Sequence, residues 1–274
     1  MEKDSKITYD TLLYVWCDFK AQNLIINTNP FSFIFWARAN SDSKMSNIDL
    51  RLGDCLEVMK TLSNGSIDCI ITDPPYTSPT VHAFGRKVVN RLSDLAIQEF
   101  YFAEIKKEWE RILKPNAPVL VFCDDIYSAV LMGLFYEWKQ KNLVIWDKGR
   151  IGMGNPFRKQ HELIFYANRD SLKLNKKELT HIPTIIKSPL KKEFHGAEKP
   201  IELIEKLLNG LTLENAKVLD PFMGSGTTAV CCQNTKRDFI GIELDNGYYE
   251  VAKKRVQKNK RKRLEELNFD KALT

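Results

Sequence analysis

Asp73-Pro74-Pro75-Tyr76 follows a short apolar run, Ile67–Thr72, that reads as a buried strand. Two successive prolines remove two backbone donors and fix φ, so the Pro74 carbonyl is rigidly aimed. Asp73 adds a carboxylate acceptor beside it, and Tyr76 an aromatic face. Together they suit a slot for a flat ring that carries an exocyclic amine, with two acceptors for its N–H groups and a platform for stacking. A bare Asp-Pro-Pro-Tyr also suits an ordinary turn. Its position at a strand end, and its pairing with a second motif, favour the site.

The second motif is Val218-Leu219-Asp220-Pro221-Phe222-Met223-Gly224-Ser225-Gly226-Thr227-Thr228, followed by Phe239-Ile240-Gly241-Ile242-Glu243. It reads as strand, glycine turn, helix, strand and acid. Gly224 and Gly226 let the backbone turn sharply and approach a ligand without Cβ clashes. A helix starting near Thr227 offers free N–H groups to an anionic end of that ligand. Glu243, 17 residues after Gly226, stands at a strand end where it can accept hydrogen bonds from ribose hydroxyls. The third glycine of a dinucleotide fingerprint is absent, which disfavours NAD and leaves room for a single nucleoside. A tight structural turn is the alternative.

The elements that must hold these motifs alternate along the chain. Strands are expected at Ile48–Leu52, Ile67–Thr72, Pro118–Cys123, Leu143–Trp146, Glu162–Ala167, Lys217–Leu219 and Asp238–Ile242. Helices are expected at Leu56–Leu62, from Ser93 or Asp94 to Leu113, and at Tyr127–Lys139, Pro200–Leu208, Thr227–Gln233 and Asn246–Lys260. Thr77 to about Leu92 reads as a loop. Short apolar strands alternating with helices predict an α/β fold, a mostly parallel twisted sheet with helices on both faces. Residues 1–44 show no sustained period and read as an N-terminal extension, accessory or translated from a misplaced start codon. The core is expected over 45–260, with a basic tail at 261–274.

The chain has 274 residues, with 41 Lys and Arg against 35 Asp and Glu. The excess is local. From Lys148 to Lys192 there are 11 basic residues against three acids, and from Lys253 to the end nine against three. Both stretches suit a polyanion, although a solvated charged surface reads the same way. No apolar run approaches the roughly 20 residues needed to span a bilayer, which argues against a membrane protein. The N-terminal Met1-Glu2-Lys3-Asp4 lacks the pattern of a secretory signal. Six cysteines without CxxC spacing and four scattered histidines suggest free thiols of a reducing cytoplasm and no metal site.

In these motifs the chain resembles the S-adenosylmethionine-dependent DNA amino-methyltransferases, which methylate adenine at N6 or cytosine at N4. The motif order, Asp-Pro-Pro-Tyr before the glycine turn with a basic segment between, is similar to the circularly permuted β class. Gly53-Asp54-Cys55-Leu56, Trp146-Asp147-Lys148, His161-Glu162 and His195-Gly196-Ala197-Glu198-Lys199-Pro200 extend the resemblance over about Asp49–Arg255. Gly196-Ala197 departs from the family's usual Pro-Thr. The resemblance implies a Rossmann-like methyltransferase fold and S-adenosyl-L-methionine as cofactor. Phe222, Gly224, Ser225, Gly226 and Thr227, with Asp220 before them, would surround its methionine part. Glu243 would hold the ribose, Asp54 and the Cys55 backbone would meet the adenine, and Lys199 would sit near the carboxylate. Asp73, Pro74, Pro75 and Tyr76 would hold the flipped target base as catalytic residues. The implied partner is double-stranded DNA, read by a target-recognition segment over about 149–194. That segment is short, so the recognition sequence would be short or a homodimer would be used. A cognate restriction endonuclease is the further implied partner. Aspartate before Pro-Pro-Tyr is typical of adenine-N6 enzymes and serine of cytosine-N4 enzymes. Adenine-N6 methylation of DNA is therefore expected, with cytosine-N4 methylation the first alternative, and protein or RNA N-methylation or an inactive DNA-binding module the further competing functions.

Overall fold

The computed structural model describes residues 46–75, 80–83, 86–89, 95–152, 156–170, 182–189 and 199–272. The chain divides into a compact unit of Ser46–Gln257 and a second unit of Met1–Met45 with Lys258–Thr274. The sequence expectations for residues 1–44 lie outside the described residues.

The larger unit is built on an eight-stranded sheet in the order β1-β10-β9-β2-β5-β7-β6-β8. In chain order the strands are β1 (Ile48–Leu52), β2 (Cys69–Thr72), β5 (Pro118–Cys123), β6 (Gln140–Asp147), β7 (His161–Asn168), β8 (Ile185–Lys187), β9 (Lys217–Asp220) and β10 (Asp238–Glu243). The run from β1 to β5 is parallel. β7 is antiparallel to both its neighbours, and β8 pairs parallel with β6. The sheet is therefore mixed, with one reversed strand. Thr80–Ala83 and Arg86–Val89 pair as a separate antiparallel hairpin, β3–β4, where the sequence suggested only loop.

The helices are α1 (Cys55–Lys60), α2 (Leu95–Ile112), α3 (Asp125–Leu134), α4 (Ile201–Leu211), α5 (Thr227–Asn234) and α6 (Asn246–Ala272). Strand residues alternate between two cores, as the two-residue period of a strand requires. Ile70, Val119, Val121, Phe165 and Leu219 pack against α1, α2 and α3. Ile71, Leu120, Phe122, Ile164 and Val218 pack against α4, α5 and the start of α6. The helical stripes match: α2 buries Phe102, Ile105, Trp109 and Ile112, and α4 buries Leu203, Ile204, Leu207 and Leu208. Every side chain of β2 and β5 is buried, so both strands read as unbroken apolar runs. Among the described residues no helix is long and apolar enough to cross a membrane.

Connectivity locates the ligand crevice. The chain leaves β9 through α5 on one face of the sheet and leaves β2 towards α2 on the other. β9 and β2 are neighbours, with Cys69 opposite Val218 and Ile70 opposite Leu219. Adjacent parallel strands whose connections diverge leave an opening beyond their C-terminal ends, the switch point of an open α/β sheet. Both sequence motifs end there, although about 150 residues separate them in the chain.

The segment read as target recognition is not wholly outside the core. β7 lies between β5 and β6 within the sheet, and β8 covers the edge beyond β6. Between β6 and β7 the described residues 148–152 and 156–160 are joined by Lys148 N–H to Gln160 O at 3.0 Å and Gly152 N–H to Lys159 O at 2.8 Å.

Candidate active site

A cavity of about 180 Å³ opens at the switch point. Asp73, Phe122 and Lys199 line it together with Phe222, Gly224 and Ser225 of the glycine turn. The acidic diproline corner and the glycine bend thus share one space.

Asp220 ties the two corners together. Its carboxylate is buried and accepts from Thr72 Oγ1 at 2.7 Å, Thr228 Oγ1 at 2.8 Å and the Phe222 N–H at 3.1 Å. One group therefore joins the end of β2, the end of β9 and the first turn of α5. Three protein donors meet it, so it fixes the loop on the wall of the cavity. Burial pushes its pKa up to about 7 despite those hydrogen bonds, and the nearby Asp73 charge adds to the rise. An aspartate raised in the folded state binds a proton on folding. Its contribution therefore favours folding at low pH, declines as pH rises from its ordinary value near 3.8 to about 7, and is flat above that. Asp220→Asn keeps the shape and removes the titration. We expect the melting temperature of the native chain, relative to this variant, to fall between pH 5 and 7 and to level off above 7. Parallel melting curves across that range would contradict the assignment.

The glycine turn is built for close approach. Gly224 and Gly226 have φ of 54° and 79°, the left-handed region that L side chains resist. A Cβ on Gly224 would meet nothing within 4 Å, whereas one on Gly226 would lie 2.8 Å from Ala252 Cβ. Gly226 also precedes α5 without a capping side chain, which leaves the N–H groups of the first helical turn open to a ligand. Beneath the turn, the buried Arg255 of α6 donates to Thr227 Oγ1 at 2.9 Å and to Ser225 Oγ at 3.3 Å. Glu243 ends β10 and accepts from the Gly224 N–H at 2.9 Å and the Asp245 N–H at 2.8 Å; burial raises its pKa while those bonds oppose the rise. β1 lies beside β10, with Leu52 opposite Glu243, so Asp54 and Cys55 follow at the same edge. Asp54 caps α1 through the N–H groups of Leu56 and Glu57, and Cys55 is buried with its sulfur 3.2 Å from the Tyr101 hydroxyl.

Asp73 directly follows β2, with Pro74 buried and Pro75 half-buried behind it. Its Oδ2 accepts from Lys199 Nζ at 2.5 Å. Its Oδ1 is buried and has no hydrogen-bond partner among the described residues. A buried, unfilled carboxylate oxygen is costly unless something donates to it. Burial raises the Asp73 pKa, Lys199 opposes the rise, and Glu162 adds to it. Lys199, itself buried, also lies 3.3 Å from Glu162 Oε2 and 5.1 Å from the centre of the Phe122 ring. This ammonium, expected from the sequence near a cofactor carboxylate, pairs with two protein carboxylates and lines the cavity that the glycine turn shares. Tyr76 and His195 lie outside the described residues.

Sequence reasoning missed Glu162, Phe122 and Arg255 as parts of the site. Phe122 was legible only as a core residue of an apolar strand. Glu162 reaches the site because β7 runs backwards, so its beginning lies at the edge where the other strands end. Its only signal in the sequence was the His161-Glu162 pair.

Comparisons with known proteins agree with this geometry. The family model described as DNA methylase, for N6 and N4 methyltransferases, matches residues 67–254. The chain is 29% identical over 244 residues to the type II methyltransferase M.HinfI of Haemophilus influenzae, covering 76% of this chain and 68% of the relative. The crystal structure of the M1.HpyAVI–SAM complex superposes with a TM-score of 0.59 at 27% identity, over 76% of this chain and 98% of that one. The cytosine-N4-specific PvuII DNA methyltransferase has a TM-score of 0.64 at 18% identity, over 82% and 94% of the two chains, a likeness of fold. A cavity shared by an unfilled carboxylate and a glycine turn with open space at Gly224 fits a nucleoside methyl donor, and with the family match over most of its length the chain belongs to the S-adenosylmethionine-dependent DNA amino-methyltransferases.

Proposed function

We propose that the chain methylates the exocyclic N6 of adenine in double-stranded DNA, with the target base turned out of the helix into the cavity. The observation that carries this reading is the unfilled, buried Oδ1 of Asp73 in the space shared with the glycine turn. The roles assigned from the resemblance form part of the proposal. Phe222, Gly224, Ser225, Gly226 and Thr227 hold the methionine part of the cofactor, Glu243 the ribose, and Asp54 with the Cys55 backbone the adenine.

When bound, S-adenosylmethionine supplies an electrophilic methyl group on a sulfonium. The chain's own work is at the amine, whose lone pair is delocalised into the base ring and is a poor nucleophile. Asp73 Oδ1 and the Pro74 carbonyl accept its two hydrogens, which favours a pyramidal nitrogen with the lone pair turned to the donor. Positioning and a carboxylate near the developing positive charge then lower the barrier, and the one proton that the nitrogen gives up on methylation would pass to Asp73 or to solvent. Turning the base out costs a few kcal/mol, and stacking on Tyr76 would offset part of that. No thiol is needed as nucleophile. Burial pushes the Cys55 thiol up to about 11 and that of Cys123 up to about 12, so neither is a ready thiolate.

Aspartate ahead of the diproline supports adenine over cytosine. The fold does not discriminate, since the cytosine-N4 enzyme PvuII shares it. DNA methylated by the purified chain and digested to nucleosides is expected to yield N6-methyladenine. A product of 4-methylcytosine alone would overturn the adenine assignment and leave the reaction class standing. The basic loop at 148–160 and the exposed basic residues of α6 supply phosphate contacts in this reading. The type II designation of the Haemophilus influenzae relative supports a cognate restriction endonuclease as partner. The five described cysteines are all buried free thiols, which supports a reducing cytoplasm as the site of action.

A further inference from the structure

We propose that Glu162 is a positioning residue for methyl transfer, holding Lys199 against one oxygen of Asp73 so that the other stays directed to the target amine. The inference rests on the proposed role of Asp73. Four charged side chains from four parts of the fold form one chain of contacts. Lys148, at the end of β6, lies 3.3 Å from Glu162 Oε1. Glu162, at the start of β7, lies 3.3 Å from Lys199 through its other oxygen. Lys199, which enters α4, reaches Asp73 Oδ2 at 2.5 Å.

The charges alternate, so each lysine is held by a carboxylate and each internal group by two neighbours. Lys199 is only 10% exposed at its side chain, and the two anions offset the cost of burying its charge. Burial lowers its pKa, but Asp73 and Glu162 outweigh that and hold it above the ordinary value. Glu162 Oε2 meets the ammonium as an ion pair without hydrogen-bond geometry, so it restrains Lys199 through charge, while Lys199 fixes the Asp73 carboxylate through a hydrogen bond to Oδ2. Oδ1 is then left with no protein donor among the described residues. Without Glu162, Lys199 would be free to bridge both oxygens of Asp73 or to turn towards the cavity, and the acceptor would be spoiled. Glu162 itself is not among the residues that line the cavity at the glycine turn.

The charged and titratable groups around Asp73 are Lys199 before α4, Glu162 on β7, Asp220 on β9 and the Cys123 thiol on β5. Of these, Glu162 and Asp220 bring like charge. Removing the Glu162 charge takes away one repulsion, so Asp73 should ionise at lower pH.

The experiment compares Glu162→Gln, Glu162→Asp and Asp73→Ala in the full chain, with kcat and KM for DNA and for S-adenosylmethionine measured across pH. For Glu162→Gln we expect kcat to fall about 10- to 100-fold, as misplacement of a reacting group by a fraction of an ångström to 1 Å allows. KM for the cofactor should stay within about twofold, because uniform binding is untouched. The acidic limb of the kcat profile should move to lower pH, and Glu162→Asp should recover part of the rate. An unchanged kcat in Glu162→Gln overturns the inference. So does a loss of kcat with an unmoved acidic limb and no recovery in Glu162→Asp, since that describes a merely structural residue. Full activity in Asp73→Ala would instead defeat the underlying reading of Asp73, whatever the Glu162 variants do.

Discussion

Replacing Asp73 with alanine is expected to lower the rate of methyl transfer by about 10³-fold, the scale on which removing one preorganised polar group from a developing charge is felt. Two things are lost at once. The amine loses the acceptor that localises its lone pair, and Lys199 loses one of its two anions. The second loss has a separate readout. Lys199 keeps Glu162 at 3.3 Å, and the Asp73 side chain is 30% exposed, so the destabilisation should be about 1–3 kcal/mol, less than for a fully buried pair. Cofactor binding should survive nearly intact, because the glycine turn is fixed by Asp220, Thr228 and Arg255 rather than by Asp73. Single-turnover methyl transfer and equilibrium cofactor binding on the same preparation separate the two. A variant that transfers at the native rate would remove the role given to Asp73; one that loses rate and cofactor affinity together would point to collapse of the crevice instead.

The two halves of this site were legible in the sequence because each is local. A buried strand followed by Asp-Pro-Pro, and a strand followed by glycines and a helix, are chemical signatures of a few residues each. Their meeting was not local. Pairing of Cys69 with Val218 and Ile70 with Leu219 joins strands about 150 residues apart, and only the resemblance to a permuted family anticipated it. The reversal of β7 left no trace in its composition, since a strand buried on both faces reads the same in either direction; hence Glu162 was seen but not understood.

Other differences have similar causes. Tyr127–Lys139 reads as one helix because its apolar residues keep a helical period, yet α3 stops at Leu134. Phe135 and Trp138 are buried all the same, packed edge to face 4.7 Å apart, so the period recorded burial rather than helix. α6 runs on to Ala272 through residues read as a tail. Lys, Arg, Glu and Leu are good helix formers, and a helix without an apolar stripe gives no periodic signal. The hairpin β3–β4 is four residues a strand, with basic residues among the apolar ones, too short for alternation to stand out.

Gly226→Ala and Gly224→Ala should fail for different reasons, although the two glycines are two residues apart. Both sit at positive φ, where a Cβ costs about 1–2 kcal/mol. At Gly226 the new methyl would also lie 2.8 Å from Ala252 Cβ and 3.1 Å from its Cα. That contact is with helix backbone rather than with a side chain that can turn aside. Overpacking of this kind adds about 1–3 kcal/mol. The sum is about 2–5 kcal/mol, which for a unit of this size lowers the melting temperature by about 5–15 °C. At Gly224 the methyl would meet no protein atom within 4 Å, so stability should drop only by the strain term. It would instead project into open space at the turn, where the cofactor's methionine part is assigned. Gly224→Ala should therefore weaken cofactor binding by about tenfold or more, the effect of about 1.4 kcal/mol, with a melting temperature close to native. Thermal melts and cofactor titrations of both variants decide it. A Gly226 variant that melts like the native chain would mean that α6 yields at Ala252 and does not brace the turn. A Gly224 variant with native cofactor affinity would mean that the ligand does not approach the backbone there, and the assignment of the glycine turn would have to be given up.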